Sequence, residues 1–226
     1  MLVEKETTTK ILIDILQDKR VPHTNIDILI DGASKNKVLL HLLRVLNIQG
    51  SLREWQESGI RRVIKVVQVI SKLLKGYDCA FFKLIKPVNY VPADVDLLVS
   101  IDHVNKIVKD IMTLGYRIAV KDPFCVTLTR DDSIIDLYIH PSLGGVTFLN
   151  GQKLLEHTCT KEFNGVEVRS LESYAEALVA ASHAIYKERI YTLNDFFTVE
   201  EWMSKKTIRL AEELSCEDAL KVAMNL

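Results

Sequence analysis

Apolar residues along the chain recur with two different periods, one helical and one strand-like. Residues 1–7 are polar and read as frayed. From Thr8 or Thr9, either of which can cap a helix, Ile11, Leu12, Ile15 and Leu16 recur at helical spacing, and the pattern ends near Asp18-Lys19-Arg20 ahead of Val21-Pro22. Thr24 or Asn25 can cap a short helix over 26–30. Asp31-Gly32-Ala33-Ser34 then reads as a turn with a new cap, and Val38, Leu39, Leu42, Leu43 and Leu46 predict a third helix over 35–46. The next stretch admits two readings. Ser51 and Glu54 have capping-box spacing, yet Gly59 between 52–55 and 60–66 also fits the turn of a β wing carrying Arg53, Arg61 and Arg62. Helical spacing returns over 63–75, and Gly76 is placed to stop it.

Beyond Gly76 the period shortens. Residues 79–85 read as a strand and 86–92 as a loop with Pro87 and Pro92. A second strand follows in Val91-Pro92-Ala93-Asp94-Val95-Asp96-Leu97-Leu98-Val99-Ser100. A helix is predicted over 101–114, bounded by Asp102 and Gly115, then strands over 117–120, 125–129 and 134–139, the last two joined by Arg130-Asp131-Asp132-Ser133. Asp131 and Asp132 read as solvated loop acids. Ser142-Leu143-Gly144-Gly145 reads as a turn, 153–157 as a short helix and Asn164-Gly165 as a hairpin turn. Ser170 is the expected cap of a long helix over 171–189, with three further helices to follow and Trp202 and Leu210 as packing anchors. The expected class is therefore α/β (α+β): a mixed sheet with flanking helices, a small helical module over 1–58 before it, and C-terminal helices completing the domain over 59–226.

Two strands carry acids where apolar residues would suffice. Alternation puts Asp94 and Asp96 on one face while Val95, Leu97 and Val99 point into a core. In Ser133-Ile134-Ile135-Asp136-Leu137-Tyr138-Ile139-His140 the same rule sets Asp136, Tyr138 and His140 against Ile135, Leu137 and Ile139. An acid buried without a partner in such a strand costs several kcal/mol, and two like charges one residue apart resist joint ionisation. Three carboxylates on neighbouring strands make an oxygen-rich site suited to Mg²⁺, which favours carboxylates together with substrate phosphates.

The acid-apolar-acid strand, the helix after it and a later strand with a third acid resemble the nucleotidyltransferase superfamily of polymerase beta, tRNA-terminal transferases and aminoglycoside nucleotidyltransferases. Downstream, Val166 to Tyr174, then Ala181-Ser182-His183-Ala184-Ile185-Tyr186-Lys187, then Leu193-Asn194-Asp195-Phe196 are similar to the strand, helix and His-basic-Asp pattern of uncharacterised nucleotidyltransferase-like proteins. The resemblance covers roughly residues 60 to 203. It implies a nucleoside triphosphate substrate, Mg²⁺ held by Asp94, Asp96 and Asp136, and phosphate contacts from the His183, Lys187 and Arg189 cluster. One departure stands out. The superfamily places a Gly-Ser or Gly-Gly pair before the acids so that backbone amides can approach a triphosphate. Here Cys79-Ala80-Phe81-Phe82-Lys83-Leu84-Ile85-Lys86 has neither glycine nor serine. Either Lys83 and Lys86 supply the phosphate charge, or nucleotide binding has changed or been lost.

Charge adds a second theme. Residues 1–75 carry 13 Lys/Arg against 8 Asp/Glu, a net +5, whereas 76–226 carry 16 against 22, a net -6. The 32–44 segment looks like the recognition helix of winged-helix DNA-binding proteins, with Ser34, Lys35, Asn36, Lys37, His41 and Arg44 outward. Duplex DNA or a partner protein is therefore an expected partner of the N-terminal module, and a catalytically inactive scaffold acting as such a regulator is the alternative to an enzyme. A composition of 48% hydrophobic and 26% charged residues is that of a globular protein. No apolar run reaches the roughly 20 residues of a membrane helix. Without a basic-then-apolar leader in the first residues, and with Cys79, Cys125, Cys159 and Cys216 far apart, the reading is a cytoplasmic protein with reduced cysteines and no zinc site.

Overall fold

In the computed structural model, which describes residues 7–17 and 25–225, the N-terminal third is helical. Of the predicted fray over 1–7, residues 1–6 lie outside the described residues, as do the helix end at 18–20 and the Thr24 cap, while Thr7 belongs to the ordered start of the first helix. α1 (Thr8–Leu16) is capped by the Thr7 hydroxyl, which accepts the Lys10 amide, and buries Leu12, Ile15 and Leu16. α2 (Ile26–Lys35), capped by Asn25, runs straight through the stretch read as a turn. Gly32 serves another purpose: a Cβ there would lie 3.0 Å from Thr8 Cγ2 and 3.1 Å from Leu12 Cδ1, so the missing side chain lets α1 and α2 approach. The turn comes later, where Lys37 adopts a left-handed φ of 58°. Val38 N–H donates to the Ala33 carbonyl and Lys37 N–H to that of Ser34, a Schellman closure. α3 (Leu39–Val45) therefore begins at Leu39 rather than at 35.

α4 (Ser51–Leu73) is one helix of 23 residues, so the helical reading of this stretch holds and no wing forms. The expected winged-helix module is therefore not confirmed. Gly59 is buried inside α4, where a Cβ would come within 2.9 Å of Val91 Cγ1, and its absence lets the loop before the second strand lie on the helix. Arg53 pairs with Glu57 at 2.7 Å, while Arg61 and Arg62 are exposed along α4. The expected boundary between residues 58 and 59 falls within this helix.

The remaining elements are β1 (Cys79–Phe81), β2 (Val95–Val99), α5 (Val104–Thr113), β3 (Arg117–Lys121), β4 (Cys125–Arg130), β5 (Ser133–Tyr138), a small hairpin of β6 (Ser142–Leu143) and β7 (Val146–Thr147), α6 (Gly151–Leu155), β8 (Thr158–Phe163), β9 (Val166–Leu171), α7 (Ser173–Ser182), α8 (Leu193–Trp202), α9 (Lys205–Glu213) and α10 (Glu217–Met224). Seven strands form one mixed sheet in the order β3-β4-β5-β2-β1-β9-β8, in which β2 pairs with β5 and β1 with β9 in parallel. The fold class is thus α+β, as expected. β1 is shorter than predicted because Lys83 turns the chain with φ 57°. Ser170, the predicted cap, belongs to β9, and α7 passes into a π-helical turn over His183–Glu188.

Three apolar clusters divide the described residues. Val95, Leu97, Val99, Ile135 and Leu137 face α4 and α5, burying Val67, Ile70, Ile107 and Ile111. Ala80, Leu98 and Tyr138 point to the opposite face, against α6, α7, α9 and α10. The third cluster joins Leu12, Leu29 and Leu42 of the N-terminal helices to Leu193 and Phe197 of α8. All four cysteines are free, and no helix among the described residues is long and apolar enough to cross a membrane.

Asn36 ties the N-terminal helices to α8. Its Oδ1 accepts the Leu193 amide at 3.1 Å, its carbonyl accepts the Asn194 amide at 3.3 Å, and Asn194 Nδ2 reaches the Lys37 carbonyl at 3.3 Å. Asn36→Ala removes the side-chain acceptor from a part-buried amide and should cost about 1 to 2 kcal/mol. An unchanged urea midpoint would show that this link is not part of the stabilising framework.

Candidate active site

β2 is the central strand, and its parallel pairing with β5 sets Asp96 directly beside Asp136. Asp94, just before β2, shares the face of Asp96. One carboxylate oxygen from each of Asp94, Asp96 and Asp136 lies within 4.8 Å of the others. Asp136 is oriented from two sides: Thr127 on β4 donates to its Oδ1 at 2.6 Å, and the Tyr138 hydroxyl lies 3.5 Å from its Oδ2. Asp96 is 5% exposed, and burial pushes its carboxyl up to about 7 despite the pull of Lys83.

Lys83 is the nearest cation. Its Nζ lies 2.9 Å from Asp96 Oδ2 and over the rings of Phe82 and Tyr138. The carboxylates around it outweigh its burial and hold the ammonium above its ordinary range. Asp96 Oδ1, by contrast, is buried with no hydrogen-bond partner among the described residues. Three carboxylates brought together, one of them with an unpaired buried oxygen, make the donor set of a hard divalent cation, so these residues fit Mg²⁺.

The turn carrying Lys83 is clamped from both ends. Its N–H donates to both oxygens of Glu176, at 2.9 and 3.0 Å, and the Tyr90 hydroxyl donates to its carbonyl. Glu176 is fully buried on α7, where burial raises its carboxyl. It was missed from sequence, although a lone acid in Ser173-Tyr174-Ala175-Glu176-Ala177-Leu178-Val179-Ala180-Ala181 was a legible signal of the kind that placed Asp136. Lys86 points at Glu176 from 4.0 Å and is almost fully buried, which lowers its ammonium. It therefore braces Glu176.

The π-helical turn brings Lys187 Nζ to 3.3 Å from the Tyr138 hydroxyl, next to Asp136. His183 does not act as the expected cation. Burial, with Lys83 and Lys187 nearby, drives its imidazole down to about 2, and its Nε2 lies 3.6 Å from Glu188 without a hydrogen bond. Arg189 is exposed beyond the turn. Of the four residues expected at nucleotide, Lys83 and Lys187 stand beside the acids, whereas Lys86 lies against Glu176 and His183 beside Glu188.

The expected DNA-contacting residues separate in the same way. Ser34, Lys35 and Lys37 are exposed, with Lys35 paired to Asp31 at 2.6 Å. Asn36 is used in docking α8. Arg44 forks onto Glu57 at 3.1 and 2.9 Å and donates to Asn89 Oδ1 at 2.6 Å, holding α3 to α4 and to the loop before β2. His41 contacts Asn89 from α3 as well. The row of outward residues is thus partly inward, because the helices that would meet DNA pack on their own protein. Neither cavity described lies at the acids: one of about 270 Å³ is between α5 and β3–β4, the other of about 500 Å³ between α4 and β8–β9.

No protein-family model matches the chain, and no curated protein matches it. Among solved structures it is similar to ANT(2")-Ia in complex with adenylyl-2"-tobramycin, at 10% identity and TM-score 0.49, over 73% of this chain and 96% of that one. A solution structure of the antibiotic-resistance factor ANT(2'')-Ia is similar at 11% identity and TM-score 0.49, over 75% and 98%. The lincosamide antibiotic adenylyltransferase LnuA, lincomycin-bound, is similar at 13% identity and TM-score 0.38, over 65% and 95%. At these identities and scores the activity has to be argued from the side chains.

Protons and metal compete for the raised Asp96 carboxyl. Its folded value lies above its unfolded one, so the acid form prevails below about 7 and the charged ligand appears only as pH rises through that value. Stabilisation by Mn²⁺ should therefore be small near pH 5.5 and reach a plateau above pH 8, as read by the shift in melting temperature at fixed metal. A flat profile across this range would remove Asp96 from the ligand set.

Proposed function

We propose that the protein transfers a nucleotidyl group from a nucleoside triphosphate to an acceptor hydroxyl in a Mg²⁺-dependent reaction that releases pyrophosphate. The observation that carries this reading is the convergence of three carboxylates, one oxygen from each within 4.8 Å of the others, with Asp96 among them keeping a buried oxygen that has no partner among the described residues. When bound by Asp94, Asp96 and Asp136, Mg²⁺ would supply Lewis-acid polarisation of the phosphoryl oxygens and lower the pKa of the acceptor hydroxyl. The chain's own residues supply the rest. Thr127 and Tyr138 hold Asp136 so that one oxygen can take the proton from the acceptor, whose oxygen bonds to the α-phosphorus as the bond to the pyrophosphate oxygen breaks. Lys83 and Lys187 lie where anionic phosphates would approach the acids, and their charge favours positioning of the triphosphate.

A second reading, a scaffold that binds without turnover, is favoured by one feature: the protein fills both halves of this site itself, with the Lys83 ammonium on Asp96 and the Glu176 carboxylate on the Lys83 amide. The two readings part experimentally. With α-labelled triphosphates and a panel of hydroxyl acceptors, the enzyme reading expects Mg²⁺-dependent label transfer that falls by at least about 100-fold in Asp136→Asn, since several kcal/mol of transition-state stabilisation go with the ion and its ligands. Mg²⁺ should also raise the melting temperature of the wild type and not of Asp96→Asn. Metal and triphosphate binding without label transfer would select the non-catalytic reading, and no response to metal would refute the site.

A further inference from the structure

We propose that Lys83 is a displaceable internal counter-ion that weakens the acid site for a bare divalent cation and frees it when a triphosphate arrives. The inference rests on the reading of Asp94, Asp96 and Asp136 as a cation site. Three observations support it. The ammonium sits within the cluster, 2.9 Å from Asp96 Oδ2. Its backbone cannot follow the side chain, because Glu176 holds the N–H and Tyr90 the carbonyl, and φ is fixed at 57°. The side chain itself is 17% exposed and lies over the faces of Phe82 and Tyr138, so it can move while its anchor stays in place.

A cation accepted by Asp96 faces this ammonium, and like charges in a poorly hydrated site repel. Asp96 therefore offers its oxygens at full strength only after Lys83 has found another anion. A triphosphate provides one, with charged oxygens suited to an ammonium donor and with Lys187 beside it. Metal and triphosphate then assist each other through a single lysine, and by linkage the coupling is reciprocal. The Leu84 carbonyl, 3.3 Å from the Tyr90 hydroxyl, belongs to the same anchored turn, so the switch is confined to one side chain. The stretch without the expected glycine pair is thereby given a role: it carries a tethered cation.

The test uses the full chain, with Mn²⁺ as the probe, and compares wild type, Lys83→Met and Lys83→Arg. Binding of free Mn²⁺, followed by loss of its electron paramagnetic resonance signal, should be at least tenfold tighter in Lys83→Met than in wild type, and in Lys83→Arg, which keeps the charge, it should stay weak. Binding of the preformed Mn²⁺ complex of inorganic tripolyphosphate, followed by calorimetry, should be tighter than that of free Mn²⁺ in wild type by a margin that shrinks at least tenfold in Lys83→Met. Lys83→Gln, neutral and polar, should repeat the Lys83→Met result if packing of the longer apolar chain is not its cause. Equal Mn²⁺ affinity in wild type and both neutral variants overturns the counter-ion role and leaves the acid site standing. Absence of Mn²⁺ uptake in all four proteins overturns the acid site and the inference together.

Discussion

Burying the carboxylate of Asp96 in the central strand of a seven-stranded sheet is the constraint on which the arrangement of this molecule turns. Both faces of the strand are packed, so the charge cannot be satisfied by water. The protein answers with one ammonium, from Lys83, and leaves the second oxygen unpaired. Holding that ammonium in place requires a non-glycine residue in the left-handed region. That in turn requires the double acceptance by Glu176 and the hydroxyl of Tyr90. Glu176 needs its own counter-charge, which Lys86 supplies from 4.0 Å. One buried acid thus accounts for a chain of alternating charges running from β2 to α7.

This chain of charges couples parts of the fold that are distant in sequence. β1 stops where Lys83 turns, the loop to β2 is held by Tyr90 and by Arg44 through Asn89, and α7 is oriented by its only acid. Burial works against the charged forms of Asp96, Glu176 and Lys86, so an external ligand that replaces an internal pair perturbs groups already poised to change partners.

The N-terminal helices belong to the same framework. Their apolar cluster is completed by Leu193 and Phe197 of α8, and Asn36 satisfies the amides at the start of that helix. Their polar residues were read as a row facing outward, and the ones that matter most to the structure, Asn36 and Arg44, face inward.

Local pattern was enough for much of this protein. The alternation of Val95, Leu97 and Val99 against Asp94 and Asp96, and of Ile135 and Leu137 against Asp136, is a property of strands with covered faces, and it assigned the acids to one face before any pairing was known. Gly115 and Asn164-Gly165 marked ends and turns because their positive φ values are needed wherever the chain folds, and the structure has them at 89°, 47° and 84°. Tertiary contact decided the rest. Gly32 and Gly59 look like turn residues and lie within helices, since the reason for a missing Cβ is a neighbour close in space and far in sequence. Lys83 and Lys86, three residues apart and alike in sequence, were separated by what surrounds them: one lies among carboxylates at the sheet and the other is buried against Glu176. His183 lost its charge to burial, which a string of residues cannot express. Sequence carries the periods and the exceptions to them, while the partner of each exception is set by the folded chain, because desolvation and charge pairing depend on distances that only packing defines.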